Sequence, residues 1–207
     1  MAYDNVAVYA PSEKIAHQIT EAVVKSQKET ARVWLGYKPK LHPCFVNVRI
    51  AKKPWAWTSY QRFGVVIDAE GTAEEIFSTI IPHEVAHTVI AEHFAFNPPQ
   101  WLDEGIAVSH ETKNRFQGKC GNIPFSHFFD IKGYPRDWEF YYGQCYSVTT
   151  HLVQRYGRDV TFEFARQGNS RGFSYSHSCR KYFDTSLQEL EREWRVWQSA
   201  REPYEKG

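Results

Sequence analysis

The segment Pro82-His83-Glu84-Val85-Ala86-His87 commits this chain to a buried helix near its centre. Residues four apart stand one turn apart on the same helical face, so His83 and His87 can present two imidazoles together, with Glu84 beside them. Proline suits the first turn, because its missing N–H is not needed there and its fixed φ is already helical. Ile80 to Ala91 is otherwise apolar, which places the helix inside the fold. Ionisable groups are costly there unless a metal ion or polar partners satisfy them. Two histidines flanking a glutamate at this spacing match a zinc site with a general base next to the metal. A histidine pair satisfied by ordinary core hydrogen bonds is the competing reading, since the pattern fixes only three residue types.

Catalytic zinc usually takes three protein ligands and leaves its fourth position to water or substrate. His93 stands six residues after His87, where the metzincin pattern H-E-x-x-H-x-x-G-x-x-H has its third histidine. The glycine that turns the chain is replaced by Ile90, a β-branched residue ill suited to positive φ, and the only methionine is Met1, so no Met-turn follows. A helix continuing through Ile90 at about 100° per residue carries His93 off the His83/His87 face. Asn97-Pro98-Pro99 ends that helix, and a second one starting near Gln100 would carry Glu104 on its first turns, antiparallel to the first. Glu104 is the preferred third ligand and Asp103 its rival. Gly105 removes a side chain where two helices and a metal would crowd.

The string Trp101-Leu102-Asp103-Glu104-Gly105-Ile106-Ala107 resembles the Trp-Leu-x-Glu-Gly-x-Ala that peptidase MA-like gluzincins carry after their zinc helix, with the glutamate as ligand. The order of elements over most of the chain is similar too. It runs from an opening strand and a long helix through further strands to the zinc helix, the glutamate helix, and a helix from Tyr142 through His151 to Gly157. The resemblance implies a zincin-like metallopeptidase holding one Zn2+ per chain through His83, His87 and Glu104, with Glu84 as general base. Tyr142 is similar to the oxyanion-stabilising tyrosine of zinc aminopeptidases, whose helix begins Tyr-x-Lys-Gly; here Gln144-Cys145 replaces Lys-Gly, Tyr142 lies nearer to the glutamate, and Tyr141 is a rival. No Gly-x-Met-Glu-Asn precedes the zinc helix to anchor a free amine, so an endopeptidase acting on peptide or protein fits better than an aminopeptidase.

Two other functions share these residues. One is a binding or regulatory module that keeps the zincin fold and cleaves nothing, against which the intact Glu84 weighs; the other is a zinc hydrolase of a non-peptide amide, which the sequence does not separate from a peptidase. The position one turn past Glu104 is Val108, which offers no carboxylate to orient a zinc histidine, leaving Asp103, Ser109 and Glu111 as candidates for that role.

With 207 residues the chain suits one domain burying about 70% of its unfolded surface, a strand-rich half over 1–96 with the zinc helix and a helical half over 97–207 with the third ligand. A formal charge of +1 gives no basic excess for a phosphate backbone, so nucleic acid is not indicated. No apolar run is long enough to span a bilayer. Met1-Ala2-Tyr3-Asp4-Asn5 lacks the marks of a signal peptide, which reads as cytoplasmic as it stands, or as an exported domain whose leader was trimmed. Oligomeric state is left open, a monomer being compatible. Cys44, Cys120, Cys145 and Cys179 form no C-x-x-C pair; a Cys120–Cys179 bond and free thiols are both open, and Cys145 reads as a small buried hydrophobe.

The periodicities predict an α+β fold: a small mixed sheet packed on the zinc-carrying helix, then a mainly helical C-terminal half. Val6, Val8 and Ala10 alternate as a strand, Pro11-Ser12 opens a helix through Ile15, Ile19 and Val23, and 45–50 and 63–67 read as two more strands. Trp55 and Trp57 fall ahead of the last of these. Thr72-Ala73-Glu74-Glu75 is a capping box, whose helix kinks at or restarts from Pro82. Residues 116–136, rich in Gly, Pro and aromatics, read as a long connection that roofs the site or packs as inert cover. Helices then follow over 141–156 and 160–165, and after a second capping box at Ser186-Leu187-Gln188-Glu189, with Leu187, Leu190, Trp194 and Trp197 on its packing face.

Overall fold

Alternation of apolar and polar residues becomes strand in the first third of the chain, where the computed structural model gives β1 (Val6–Tyr9), β2 (Cys44–Ile50), β3 (Trp55–Gln61) and β4 (Gly64–Gly71). The structure describes residues 5–112, 115–116 and 118–201. Between β1 and β2, helix α1 (Glu13–Thr30) is capped by Ser12, whose hydroxyl accepts from Ile15 N, and runs into a π-helical turn over Ala31–Leu35. The sheet order is β1-β2-β4-β3, with β1 and β4 each parallel to β2, and β3 antiparallel to β4. A mixed sheet was expected, but of three strands. Trp55 and Trp57 lie within the fourth, β3, and not ahead of a strand.

Period-2 reasoning passes over β3 because its polarity is reversed. Trp55 and Trp57 are 51% and 47% exposed, while the small or polar Ala56 and Thr58 between them face inward. The covered face of the sheet is built from Cys44, Val46 and Val48 of β2 with Ile67 and Ala69 of β4, packed on Ile19 and Val23 of α1 and on Ile76, Ile80, Ile81 and Val85. Those last four belong to a helical stretch that starts at Thr72. The capping box there is formed in both directions, Thr72 N donating to Glu75 Oε2 at 2.9 Å and Glu75 N to Thr72 Oγ1 at 3.3 Å.

A new helical segment opens at Ile81, one residue before Pro82, as the restart reading expected. After α2 (Ala73–Glu75) the backbone widens into a π turn over Ile76–Ile80 and enters α3 (Ile81–His93) with proline in the first turn. Proline has no N–H for the Ser78 carbonyl four residues back, and that carbonyl accepts instead from Thr112 N at 2.8 Å. One consequence is that the segment after the next helix is fastened beside the start of α3. At the other end, Phe96 N bonds Ala91 O at 2.7 Å, with Ala95 and Phe96 both at positive φ, a helix stop made without glycine.

The chain sorts into two compact units, Met1–Asn97 with Ala107–Asn114, and Pro98–Ile106 with Arg115–Gly207. Helix α4 (Gln100–Ser109) contributes residues to both units. In the second unit follow α5 (Phe125–Phe128), α6 (Trp138–Tyr156), α7 (Arg158–Gly168), α8 (Tyr175–Phe183) and α9 (Leu187–Arg201). Helix α8 was not legible beforehand, its polar Ser, His, Arg and Lys residues masking the buried Tyr175, Cys179 and Phe183. The capping box at Ser186 forms as expected, and Leu187, Leu190 and Trp194 are buried.

Aromatic packing holds this second unit together. Phe129 lies 5.0 Å from Trp101, 4.9 Å from Phe125 and 4.9 Å from Tyr175 between ring centroids, and Phe128 is fully buried. The connection over 116–136 therefore supplies core through Phe125, Phe128 and Phe129. Gly105 on α4 lies against α6: a Cβ there would sit 2.5 Å from the Cys145 carbonyl and against Thr149 Oγ1. Gly105→Ala should thus lower stability by about 1–3 kcal/mol, the usual range for overpacking. A urea midpoint equal to that of wild type, with unchanged slope, would show the helices yielding freely.

All four cysteines are free thiols, so the Cys120–Cys179 bond is not formed. Cys145 is fully buried, and burial pushes the Cys44 thiol up to about 12. Among the described residues no helix is long and apolar enough to cross a membrane.

Candidate metal centre

Helix α3 is enclosed on nearly every side, and its ionisable residues are buried with it: His83 is 4% exposed, Glu84 7% and His87 8%. The i, i+4 spacing brings the two imidazoles to 5.0 Å between ring centroids, steeply inclined to one another. Glu104, near the middle of α4, is 3% exposed. One ligand atom from each of His83, His87 and Glu104 falls within 4.8 Å of the others. These are the three residues that the sequence marked as candidate metal ligands. His93, the metzincin-like alternative, ends α3 and meets Tyr37 Oη through its Nδ1 at 3.0 Å.

Around these residues stand groups that the sequence named weakly or not at all. Glu111, one of three candidates for orienting a histidine, is 7% exposed and lies 2.8 Å from His83 Nδ1. An ionised carboxylate can only accept, so with Glu111 ionised Nδ1 is the donor, and in the neutral ring His83 Nε2 then keeps its lone pair. The neighbouring bond from Thr112 N to Ser78 O holds this stretch of chain in place. Strand β3 contributes two hydroxyls. Thr58 Oγ1 donates to Glu84 Oε2 at 2.7 Å, and Tyr60 Oη donates to the His87 carbonyl at 2.9 Å. With β3 unread, no sequence signal pointed to either.

The donor set could hold a metal ion. Two imidazoles and a carboxylate are the ligand types of an open catalytic zinc site, and a carboxylate as buried as Glu104 costs several kcal/mol unless charge or hydrogen bonds meet it. A carboxylate on the second nitrogen of a ligating histidine is the outer-shell partner that such sites use to fix ring and tautomer. His83 and Glu111 make a histidine–carboxylate contact of that kind.

Of the two tyrosines on α6, Tyr141 is fully buried and its hydroxyl ionises only well above the ordinary range, chiefly through burial, with Cys145 and Glu104 adding to the shift. Tyr142 is half-buried within an aromatic group, 5.4 Å from both Phe116 and Trp138 and 6.3 Å from Tyr134 between ring centroids. His110 follows α4 in sequence, and burial lowers it to about 4, so it is neutral at neutral pH. Asp103 is half-buried and Ser109 exposed.

Comparison with protein-family models, with characterised proteins and with solved structures finds no match to this chain.

Proposed function

We propose that this protein is a zinc-dependent metallopeptidase of the gluzincin type, acting as an endopeptidase. The observation that carries the reading is the convergence of His83, His87 and Glu104, buried and with ligand atoms within 4.8 Å of one another, next to a Glu84 that the zinc ligands do not use. The metal would bind through those three residues and, when bound, would polarise the scissile carbonyl and lower the pKa of coordinated water to about 7.

The chain's own groups supply the proton traffic. Glu84 accepts a proton as water attacks the carbonyl carbon, and gives that proton to the departing amine nitrogen as the C–N bond breaks, so the carboxylate is regenerated. Glu111 keeps His83 in one tautomer. Tyr142, being half-buried and so reachable from solvent, is the proposed donor to the oxyanion; the enclosed Tyr141 hydroxyl is the less suited of the two. Endopeptidase action rests on the lack of a Gly-x-Met-Glu-Asn strand motif: β3 and β4, which precede α3, read Trp55–Gln61 and Gly64–Gly71 without it.

Elemental analysis of the purified protein, run together with a peptide-library cleavage assay, tests the reading. One zinc per chain and cleavage within peptides is the expected result. Protein free of zinc after growth in zinc-supplied medium removes the metal assignment. Zinc without cleavage of any peptide removes the peptidase and leaves a hydrolase of another amide or a binding module.

A further inference from the structure

We propose that Thr58 is a positioning residue that seats the Glu84 carboxylate for proton transfer; the role of Glu84 rests on the peptidase reading above, whereas the seating is a property of this chain. Thr58 lies in the middle of β3, an edge strand of the sheet, opposite Ile67 of β4. Side chains along a strand alternate, so Ala56, Thr58 and Tyr60 share the face turned toward α3 while Trp55 and Trp57 face away. Two of those three touch α3 at the proposed site. Thr58 Oγ1 donates to Glu84 Oε2 at 2.7 Å, and one turn further along the helix Tyr60 Oη donates to the His87 carbonyl at 2.9 Å.

The chemistry of a hydroxyl makes the first bond specific. Thr58 Oγ1 has one proton to give, and Glu84 offers it two oxygens, the carboxylate at 2.7 Å and the main-chain carbonyl at 3.3 Å. The shorter, charge-assisted bond takes the proton and the carbonyl contact is the weaker partner. With Oε2 engaged, Glu84 Oε1 is the oxygen left to work as base, and its direction is set by the bond to the other. Threonine does this better than serine. Its β-branch restricts χ1, so the hydroxyl keeps its aim toward the helix. A carboxylate that is 7% exposed and swings between rotamers would lose part of the alignment on which general-base catalysis depends.

Nothing in the motif reading requires this contact, because Glu84 is named by the helix pattern and Thr58 by strand register alone. The hydroxyl neither reaches a ligand atom of the proposed metal centre nor needs to touch substrate. Removing it should leave metal content and KM as they are and act on kcat.

The experiment compares wild type, Thr58→Val and Thr58→Ser on three readouts: zinc per chain, kcat and KM on a peptide that wild type cleaves, and the crystal structure of each protein. Valine keeps the shape and loses the hydroxyl, so kcat should fall roughly 10- to 100-fold with KM within about twofold and zinc unchanged, a fraction of the roughly 10²- to 10⁴-fold that the general base itself contributes. Serine restores the donor, and kcat should return to within about threefold of wild type. In the crystal the Glu84 carboxylate should lie on the residue-58 hydroxyl in wild type and Thr58→Ser, and turn away in Thr58→Val. A Thr58→Val enzyme with wild-type kcat, or a serine variant as slow as the valine one, overturns the proposal. So does a wild-type crystal structure in which Glu84 is seated elsewhere, and that arm decides the matter even if wild type cleaves no peptide, the result that counts against the peptidase reading itself.

Discussion

If the protein is the zinc peptidase proposed above, replacing Glu84 by Gln will leave one zinc per chain in place and lower peptide turnover by roughly 10²- to 10⁴-fold, the range a positioned general base contributes. The substitution isolates the proton step. Glutamine has the size and shape of glutamate, and its amide oxygen can still accept from Thr58 as Glu84 Oε2 does at 2.7 Å. What it lacks is a basic oxygen for the proton of the attacking water. His83, His87 and Glu104 are untouched, so metal content should hold. The measurement is zinc by elemental analysis and kcat/KM on one peptide for both proteins. Wild-type turnover in Glu84→Gln would take this carboxylate out of the mechanism.

Glu104→Ala is expected to abolish stable zinc binding, whereas His93→Ala should keep it. A three-ligand site that loses its carboxylate is left with the two imidazoles of α3, and the remaining positions fall to water. His93 ends that helix against Tyr37, with no ligand atom in the cluster. Between these extremes, Glu111→Gln should weaken zinc affinity about 10- to 100-fold, as loss of an outer-shell partner commonly does. Its amide oxygen can still accept from His83 Nδ1, now 2.8 Å from Glu111 Oε1, without the charge that raises the ring's basicity. Competition with a zinc chelator of known affinity ranks all three. Retention by Glu104→Ala and loss by His93→Ala would restore the metzincin-like arrangement.

Much of this architecture was legible in the residue order wherever the cause is local. His83, Glu84 and His87 are fixed relative to one another by helical periodicity, and the capping boxes at Thr72 and Ser186 close within one turn. Pro98 and Pro99 stand just ahead of α4, which begins at Gln100, although α3 has already stopped at His93 through the positive φ of Ala95 and Phe96. What residue order does not supply is the Thr112 N donor that meets the Ser78 carbonyl from thirty-four residues on, a partner that no local rule names. Helix α8 and strand β3 escaped for a related reason. Their inward positions are few or unusual, so composition within the segment does not announce which face is covered.

By itself, then, the sequence determined which residues can serve as metal ligands and as base, because donor chemistry and i, i+4 geometry are properties of a few neighbouring residues. Tertiary structure alone decided what surrounds them. It brought Glu111 to His83, Thr58 to Glu84 and Tyr60 to the His87 carbonyl, enclosed Tyr141 while leaving Tyr142 half-buried, and kept the cysteines as thiols. Each of these depends on strand register or on the packing of segments distant in sequence, where a shift of one residue turns a side chain to the opposite face. No short pattern encodes that choice; the hydrophobic core makes it when it selects which faces to bury.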